Sequence, residues 1–284
     1  MLRKINQSYI VLHFFVVIIV CSIVLITSQT QEATPALLIT TQENGLFEWG
    51  SFFIFLAISA FTLMILFHDK GSNIFTKFQK RFITLVAIGT YFLAMEEISW
   101  GQHILGFKTP GFFEANNLQK ETNIHNLISG EISNLVFHSI VYIFFILIPI
   151  IVYIKPNISD RLPRLKKGIS TYLPSLHNIL MFCFASSLQA YFLPKTIVDT
   201  VVLSISLLIL SILILSKKAF RTKSILIHLA LVIGSTIIFM FNHHVFAYYN
   251  MQYEIREFVI GYAFLYWFYN WTAHVKYKMA LQLR

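Results

Sequence analysis

Charge is what this sequence has least of. Only 12% of its 284 residues are Asp, Glu, Lys or Arg, roughly half the share in soluble globular domains. With 56% hydrophobic residues and a mean hydropathy of +0.67, the chain cannot cover itself with polar surface, which argues against a water-soluble domain. Cysteine is scarce too. Cys21 and Cys183 both lie inside apolar runs, which excludes a disulfide framework and a CxxC metal site. Seven prolines and 11 glycines leave long runs without breakers and exclude collagen-like or low-complexity architecture. The net charge of +9 does not point to nucleic acid, because the basic residues sit in short segments between apolar runs. Anionic lipid headgroups are sufficient partners there.

What is present in abundance is apolar sequence, including 28 phenylalanines. A bilayer core of about 30 Å takes about 20 apolar residues as a helix, and helix is required because lipid offers the backbone no hydrogen-bond partners. The runs predict an all-α polytopic bundle of about eight spans, over roughly 8–28, 48–67, 82–101, 132–154, 175–193, 196–216, 224–246 and 257–275. Arg3 and Lys4 precede the first run as in a signal peptide. The run is long for one, and no small-residue cleavage pattern follows, so it is expected to stay as the first span.

Basic residues orient the bundle. All but four of the 22 fall in alternate segments, and only Lys108, Lys120, Lys195 and Arg256 fall in the others. Positive segments face the cytoplasm, so both termini are expected inside, and the segment 102–131 outside. A bacterial inner (plasma) membrane is the expected location. The connection at Leu193-Pro194-Lys195 is expected to be a tight turn, since merging its neighbours would turn the cluster Lys217–Lys223 outward. The outer segment 102–131 contains the breakers Gly106, Pro110 and Gly111. It is expected to lie on the membrane, with a helical turn beginning after Thr109.

Polar groups inside spans are costly and mark function by default. Here they gather at outer ends. The third run closes with Glu96, Glu97, Ser99, Trp100, Gln102 and His103. The outer segment adds Glu114, Glu121, His125 and several asparagines, and the fourth run opens with Glu131, Asn134 and His138. Asp199 begins the sixth run, and Asn242, His243 and His244 close the seventh. On a continuous helix Glu96, Ser99, Trp100 and His103 would share a stripe, with Glu97 about 100° away. Glu121 and His125, four apart, would meet on one helical turn. These residues suggest a His/carboxylate site. Glu96, Glu97, Ser99 and Glu121 are the candidate catalytic groups. His138, His243, His244, His125 and Asp199 are the candidate ligands of a divalent metal such as zinc. No HExxH or ExxH pattern is present. The histidines His177 and His228, toward the inner side, are expected to be interfacial or packed.

Three functional readings remain open at this level. One is a metal-dependent hydrolase or transferase acting on a lipid or lipid-linked substrate. A second is a non-catalytic partner or scaffold of a larger assembly, with 102–131 as its contact surface. The third is a cation or proton transporter, for which the second, sixth and seventh runs are too uniformly apolar at mid-depth. Composition fixes no oligomeric state. The topology yields a direct expectation: Asn117→Cys should react with an impermeant thiol reagent from the outside only. Labelling from the cytoplasmic side alone would relocate the whole polar site.

Overall fold

The computed structural model of the protein describes residues 11–12, 14–20, 22, 45–69, 74–127, 136, 139–154, 172–187, 197–215, 223–241 and 251–282. Every regular element among these residues is helical. The long helices are α1 (Leu46–Asp69) and α2 (Lys77–Glu97). The outer segment carries two short ones, α3 (Gln102–Leu105) and α4 (Gly111–Asn116). Then come α5 (Ser139–Tyr153), α6 (Leu176–Ser187), α7 (Ile197–Leu215), α8 (Lys223–Phe241) and α9 (Met251–Gln282). By length and composition, α1 is long and apolar enough to cross a membrane. A second crossing exists if α2 and the bent segment Ser99–Leu105 count as one. Among the described residues no other helix passes that test, and α9 reaches six residues further toward the N-terminus than the expected 257.

Local chemistry explains the helix ends. Thr76 caps α2: its hydroxyl accepts the Gln79 N–H at 3.2 Å, and the Gln79 side chain accepts the Thr76 N–H at 2.9 Å. This reciprocal pair satisfies two of the donors that a helix start leaves without partners. Asp69 closes α1 and is buried. Its Oδ1 accepts the N–H groups of Ile74 and, at 3.2 Å, Phe75, while Oδ2 meets Lys80 Nζ at 2.8 Å. The carboxylate thereby folds the chain from α1 back into α2. Within α5, residues Tyr142–Leu147 take the wider π form. Pro149 explains it: proline has no N–H to donate and its ring would crowd the carbonyl of Phe145, so the preceding turn opens.

Aromatic packing fixes the order of the helices. α1 and α2 run antiparallel, joined mid-way by Ser59 Oγ donating to the Ala87 carbonyl at 2.9 Å. α1 and α9 run parallel, since Phe47 meets Phe258 and Phe61 meets Phe268. Gly50 makes this approach feasible, because a Cβ there would lie 2.9 Å from the Phe258 ring. α6 is the central helix, with every residue from His177 to Ser186 buried. Asn178 Nδ2 donates to the Ala263 carbonyl at 2.8 Å, and Trp267 Nε1 donates to the Tyr172 carbonyl at 2.7 Å. Phe145 lies 4.8–5.1 Å from the rings of Phe182, Phe264 and Trp267. His177 and His228 are packed as expected, both buried, with their Nδ1 atoms 3.4 Å apart.

The Asp69 staple makes an asymmetric prediction. Asp69→Ala strands two backbone donors as well as breaking the ion pair, and should lower stability in detergent by about 1–3 kcal/mol. Lys80→Ala removes only a partly exposed partner and should cost under about 1 kcal/mol. Equal losses would mean that the ion pair, not the backbone cradle, holds the turn.

Candidate functional site

The site begins where α2 ends. After Glu97 the chain does not continue as a helix. Ser99, Trp100 and Gly101 take φ of 45°, 56° and 89°, and the axis bends by 65° into α3. Glycine takes this region without penalty, but serine and tryptophan do not. Two non-glycine residues held there are a local cost that the surroundings must offset. The expected straight stripe from Glu96 to His103 is therefore replaced by a tight left-handed turn. Glu96, Ser99 and His103 still face one network, but across the bend.

Two carboxylates organise that network. Glu96 is 5% exposed. Its Oε2 accepts the N–H groups of Ile124 at 2.7 Å and His125 at 2.9 Å, and lies 3.3 Å from His125 Nδ1. Its Oε1 accepts from Trp100 Nε1. Glu121 Oε2 accepts from Ser99 Oγ at 2.6 Å and Asn123 Nδ2 at 3.1 Å, and lies 3.3 Å from His103 Nε2. Ser99 Oγ, wholly buried, is in turn 3.2 Å from both His103 Nε2 and Asn123 Nδ2. Its proton goes to Glu121, it accepts from Asn123, and the His103 ring lies within reach, so the serine is a hub of the network.

The expected pairing of Glu121 with His125 does not form. Residues 121–124 are not helical, and the two side chains part: Glu121 joins Ser99 and His103, and His125 joins Glu96. A helical turn does follow Thr109, as α4, with Pro110 as its N-cap. Asparagines and a glutamine knit the remainder. Asn117 Nδ2 donates to Asn123 Oδ1 at 2.8 Å, while its Oδ1 accepts the N–H groups of Gln119 and Glu121. Gln102 Oε1 accepts from the Thr122 N–H and hydroxyl, both at 2.8 Å. Asn117 is buried, so a thiol reporting the side of this loop belongs at exposed Gln119 instead. No isolated residue signals the asparagine hub in the sequence. Its only trace is the density of amides between 116 and 126.

Glu97, next to Glu96, faces elsewhere. Glu257, Glu254, Glu48 and Glu96 all act on it, like charge against like. α1, α2 and α9 thus bring their acidic ends together. Arg256, almost wholly buried, sits 3.9 Å from Glu257. The sequence reading places Arg256 in the segment before the last run, which is expected to begin at 257. α9 begins at Met251, which turns Arg256 inward, and the flanking Ile255 and Val259 are the signal of that helical phase.

Of the expected metal ligands, His138, His243 and His244 lie outside the described residues, as does the side chain of Asp199. Among the described residues no three His, Cys, Asp or Glu side chains are grouped to hold a metal ion. His125 is described, and its side chain is 51% exposed. Burial of the ring opposes its cationic form, but the hydrogen bond to Glu96 and the charges of Glu257, Glu96 and Glu121 outweigh this. They hold its pKa above the ordinary 6.5. A carboxylate on Nδ1 fixes the tautomer and turns Nε2 outward, the orientation of a general base or of a metal-binding imidazole.

Two consequences can be measured. Glu96→Gln replaces one acceptor oxygen by a donor facing donors, and should cost about 1–3 kcal/mol. Part of that cost depends on pH. A histidine whose folded pKa is raised contributes stability that is complete below its unfolded value and lost as pH rises through the folded one. The melting-temperature gap between wild type and Glu96→Gln should therefore be wider below pH 6.5 than in mild alkali, without vanishing. A gap constant across the histidine range would mean that His125 and Glu96 share no proton-dependent bond. Comparison with known protein families, with curated proteins and with solved structures finds no match to this chain.

Proposed function

We propose that the chain is a multi-pass membrane protein of about eight spans, with both termini inside, whose outer face carries an acid–base site. The site acts on a lipid or lipid-linked substrate by hydrolysis or group transfer. The observation that carries this reading is the His125–Glu96 pair: a half-exposed imidazole held through Nδ1 by a buried carboxylate. The relative directions of α1, α2 and α9 support the topology. Charge alternation assigns the first and last of them one direction and α2 the opposite, and the packed rings run in that sense. Headgroup depth, where the scissile ester, amide or phosphate of a lipid lies, matches the expected outer placement of 102–131.

In this reading His125 Nε2 takes a proton from an attacking water or hydroxyl and returns it to the leaving group. Glu96 holds the ring and stabilises the imidazolium, as the carboxylate of a Ser-His-Asp triad does. Ser99, Glu121 and His103 keep the loop in register. Glu97 lies on the other face of α2, toward the acidic helix ends. A divalent metal held with His138, His243, His244 or Asp199 would use the same outward Nε2, and then His125 is a ligand instead of the base. Metal analysis of the purified protein with and without chelator separates the two forms of the proposal.

The test is turnover of a total membrane-lipid extract in vesicles containing the full-length protein, followed by mass spectrometry of released headgroups and acyl chains. Wild type should consume one lipid class. His125→Gln should fold normally and lose about 10²–10⁴-fold in rate. Equal turnover by wild type and variant, or none by wild type, would overturn the assignment.

A further inference from the structure

The segment from Ser99 to Leu127 is built inside out. Its interior is polar: Ser99, Asn117 and Asn123 are buried, and Glu121 and His103 are mostly so. Its exterior carries a concentrated apolar set, with Lys108, Glu114, Asn116, Gln119 and Lys120 exposed between its members. Leu105 is 75% exposed, Leu118 68% and Phe112 64%, and Ile104, Phe107 and Ile124 are also exposed. α3 shows the inversion within one turn, since Gln102 and His103 face the network while Ile104 and Leu105 face away. A loop in water sorts the other way, and single exposed apolar residues are common where a concentrated set is not.

Water does not produce this sorting, and hydrocarbon does. In lipid a chain that is not one continuous helix must satisfy its own polar groups, and is tolerated only when they turn inward. Here they do. Gln102 bonds to Thr109 and Thr122, Thr109 donates to the Lys120 carbonyl, and Leu118 N–H pairs with the Asn126 carbonyl. The apolar exterior also continues a surface already present on α2, where Leu85, Ile88, Tyr91 and Phe92 are exposed. Trp100 marks the bend between the two surfaces, with its ring edge-on to Phe92 at 5.3 Å. Lys108 and Lys120 are both exposed, and each neighbours an exposed apolar residue or its loop. Long ammonium side chains beside apolar surface reach for lipid phosphates.

We propose that residues 99–127 form a re-entrant element seated in the outer leaflet, with acyl chains and anionic headgroups of that leaflet as its partner. Lipid covers Leu105, Phe112 and Leu118, and the 65° bend at Ser99–Gly101 turns the chain off the α2 axis and along the membrane. The element thereby carries His125 at the lipid surface and leaves its interior network dry. This inference rests on the membrane placement proposed above, but not on the chemistry assigned to His125.

Spin-label accessibility in vesicles of mixed zwitterionic and anionic phospholipid tests it on the full-length chain. Nitroxides are placed singly at Leu105→Cys, Phe112→Cys and Leu118→Cys, with Cys21 and Cys183 replaced by Ala. Leu85→Cys on α2 is the membrane control and Gln119→Cys the polar control. The labels at 105, 112 and 118 point outward and leave the network intact, and Gln119→Cys removes only an exposed side-chain contact with Asn126. Expected is preferential collision with oxygen over a water-soluble nickel chelate at 105, 112, 118 and 85, with the reverse at 119. Nickel preference at 105, 112 and 118 while 85 prefers oxygen would overturn the re-entrant element and leave the membrane reading standing. Nickel preference at 85 as well would overturn both. Protection from both reagents at the three loop sites would show that protein, not lipid, covers this face, and would also overturn the proposal.

Discussion

A single buried carboxylate fixes the turn that follows α2 and the loop beyond it. Glu96 accepts from the indole of Trp100 on one oxygen, and on the other receives two successive backbone N–H groups and a histidine ring. Each of these contacts comes from chain that has already turned away from α2. Without them nothing would offset the positive φ at Ser99 and Trp100, and the polar interior of the loop would have no fixed floor. Burying such a carboxylate is costly unless its hydrogen bonds are complete. Here the donors are at hand, so its charge becomes the organising feature of the loop.

The other end of the α1–α2 pair uses the same device. Asp69 also receives two successive N–H groups on one oxygen, from Ile74 and Phe75, and a cation on the other. Both ends of the hairpin are thus closed by an acid cradled in returning backbone. The cations differ. The partner is a lysine at Asp69 and a histidine at Glu96, and histidine changes its charge in the neutral range. The cradle of two successive N–H groups is shared, but at Glu96 the histidine sits on the same oxygen as those groups, and its contact is proton-sensitive. That difference lets the Glu96 cradle respond to pH in the neutral range, as the proposed acid–base site requires.

Much of this was legible in the residues. Among the described residues the apolar runs overlap helices, α1, α2 and α5 to α9, though only α1, or α1 with the bent α2, is long and apolar enough to cross a membrane. The polar character of 102–131 and the helical turn after Thr109 were legible for similar local reasons. What escaped depends on a single torsional event. Extrapolating α2 through Ser99 and Trp100 assumes right-handed backbone, which is the default for both residues, and the stripe and the Glu121–His125 turn followed from that assumption. Once the chain turns left-handed at three successive positions, every partner shifts. The hub role of Asn117 and Asn123 arises from tertiary closure and has no local period to read. Arg256 was misplaced because an apolar run marks where a helix is greasy, not where it begins.

The same geometry decides which polar group can react. Ser99 was attractive as a hydroxyl beside a histidine and an acid. In a nucleophilic serine the hydroxyl proton points to the imidazole, which can then remove it. Here it points to Glu121, and the oxygen accepts from Asn123. The oxygen is also sealed from solvent. Releasing it would require breaking bonds that hold the strained turn, so activating Ser99 and keeping the loop folded are opposed demands. His125 faces no such conflict. Its Nδ1 and backbone N–H secure the loop through Glu96, while the remainder of the ring is exposed. The carboxylates around it favour the protonated ring, and proton uptake tightens the contact that positions it. In this site acid–base work and structural integrity favour the same residue.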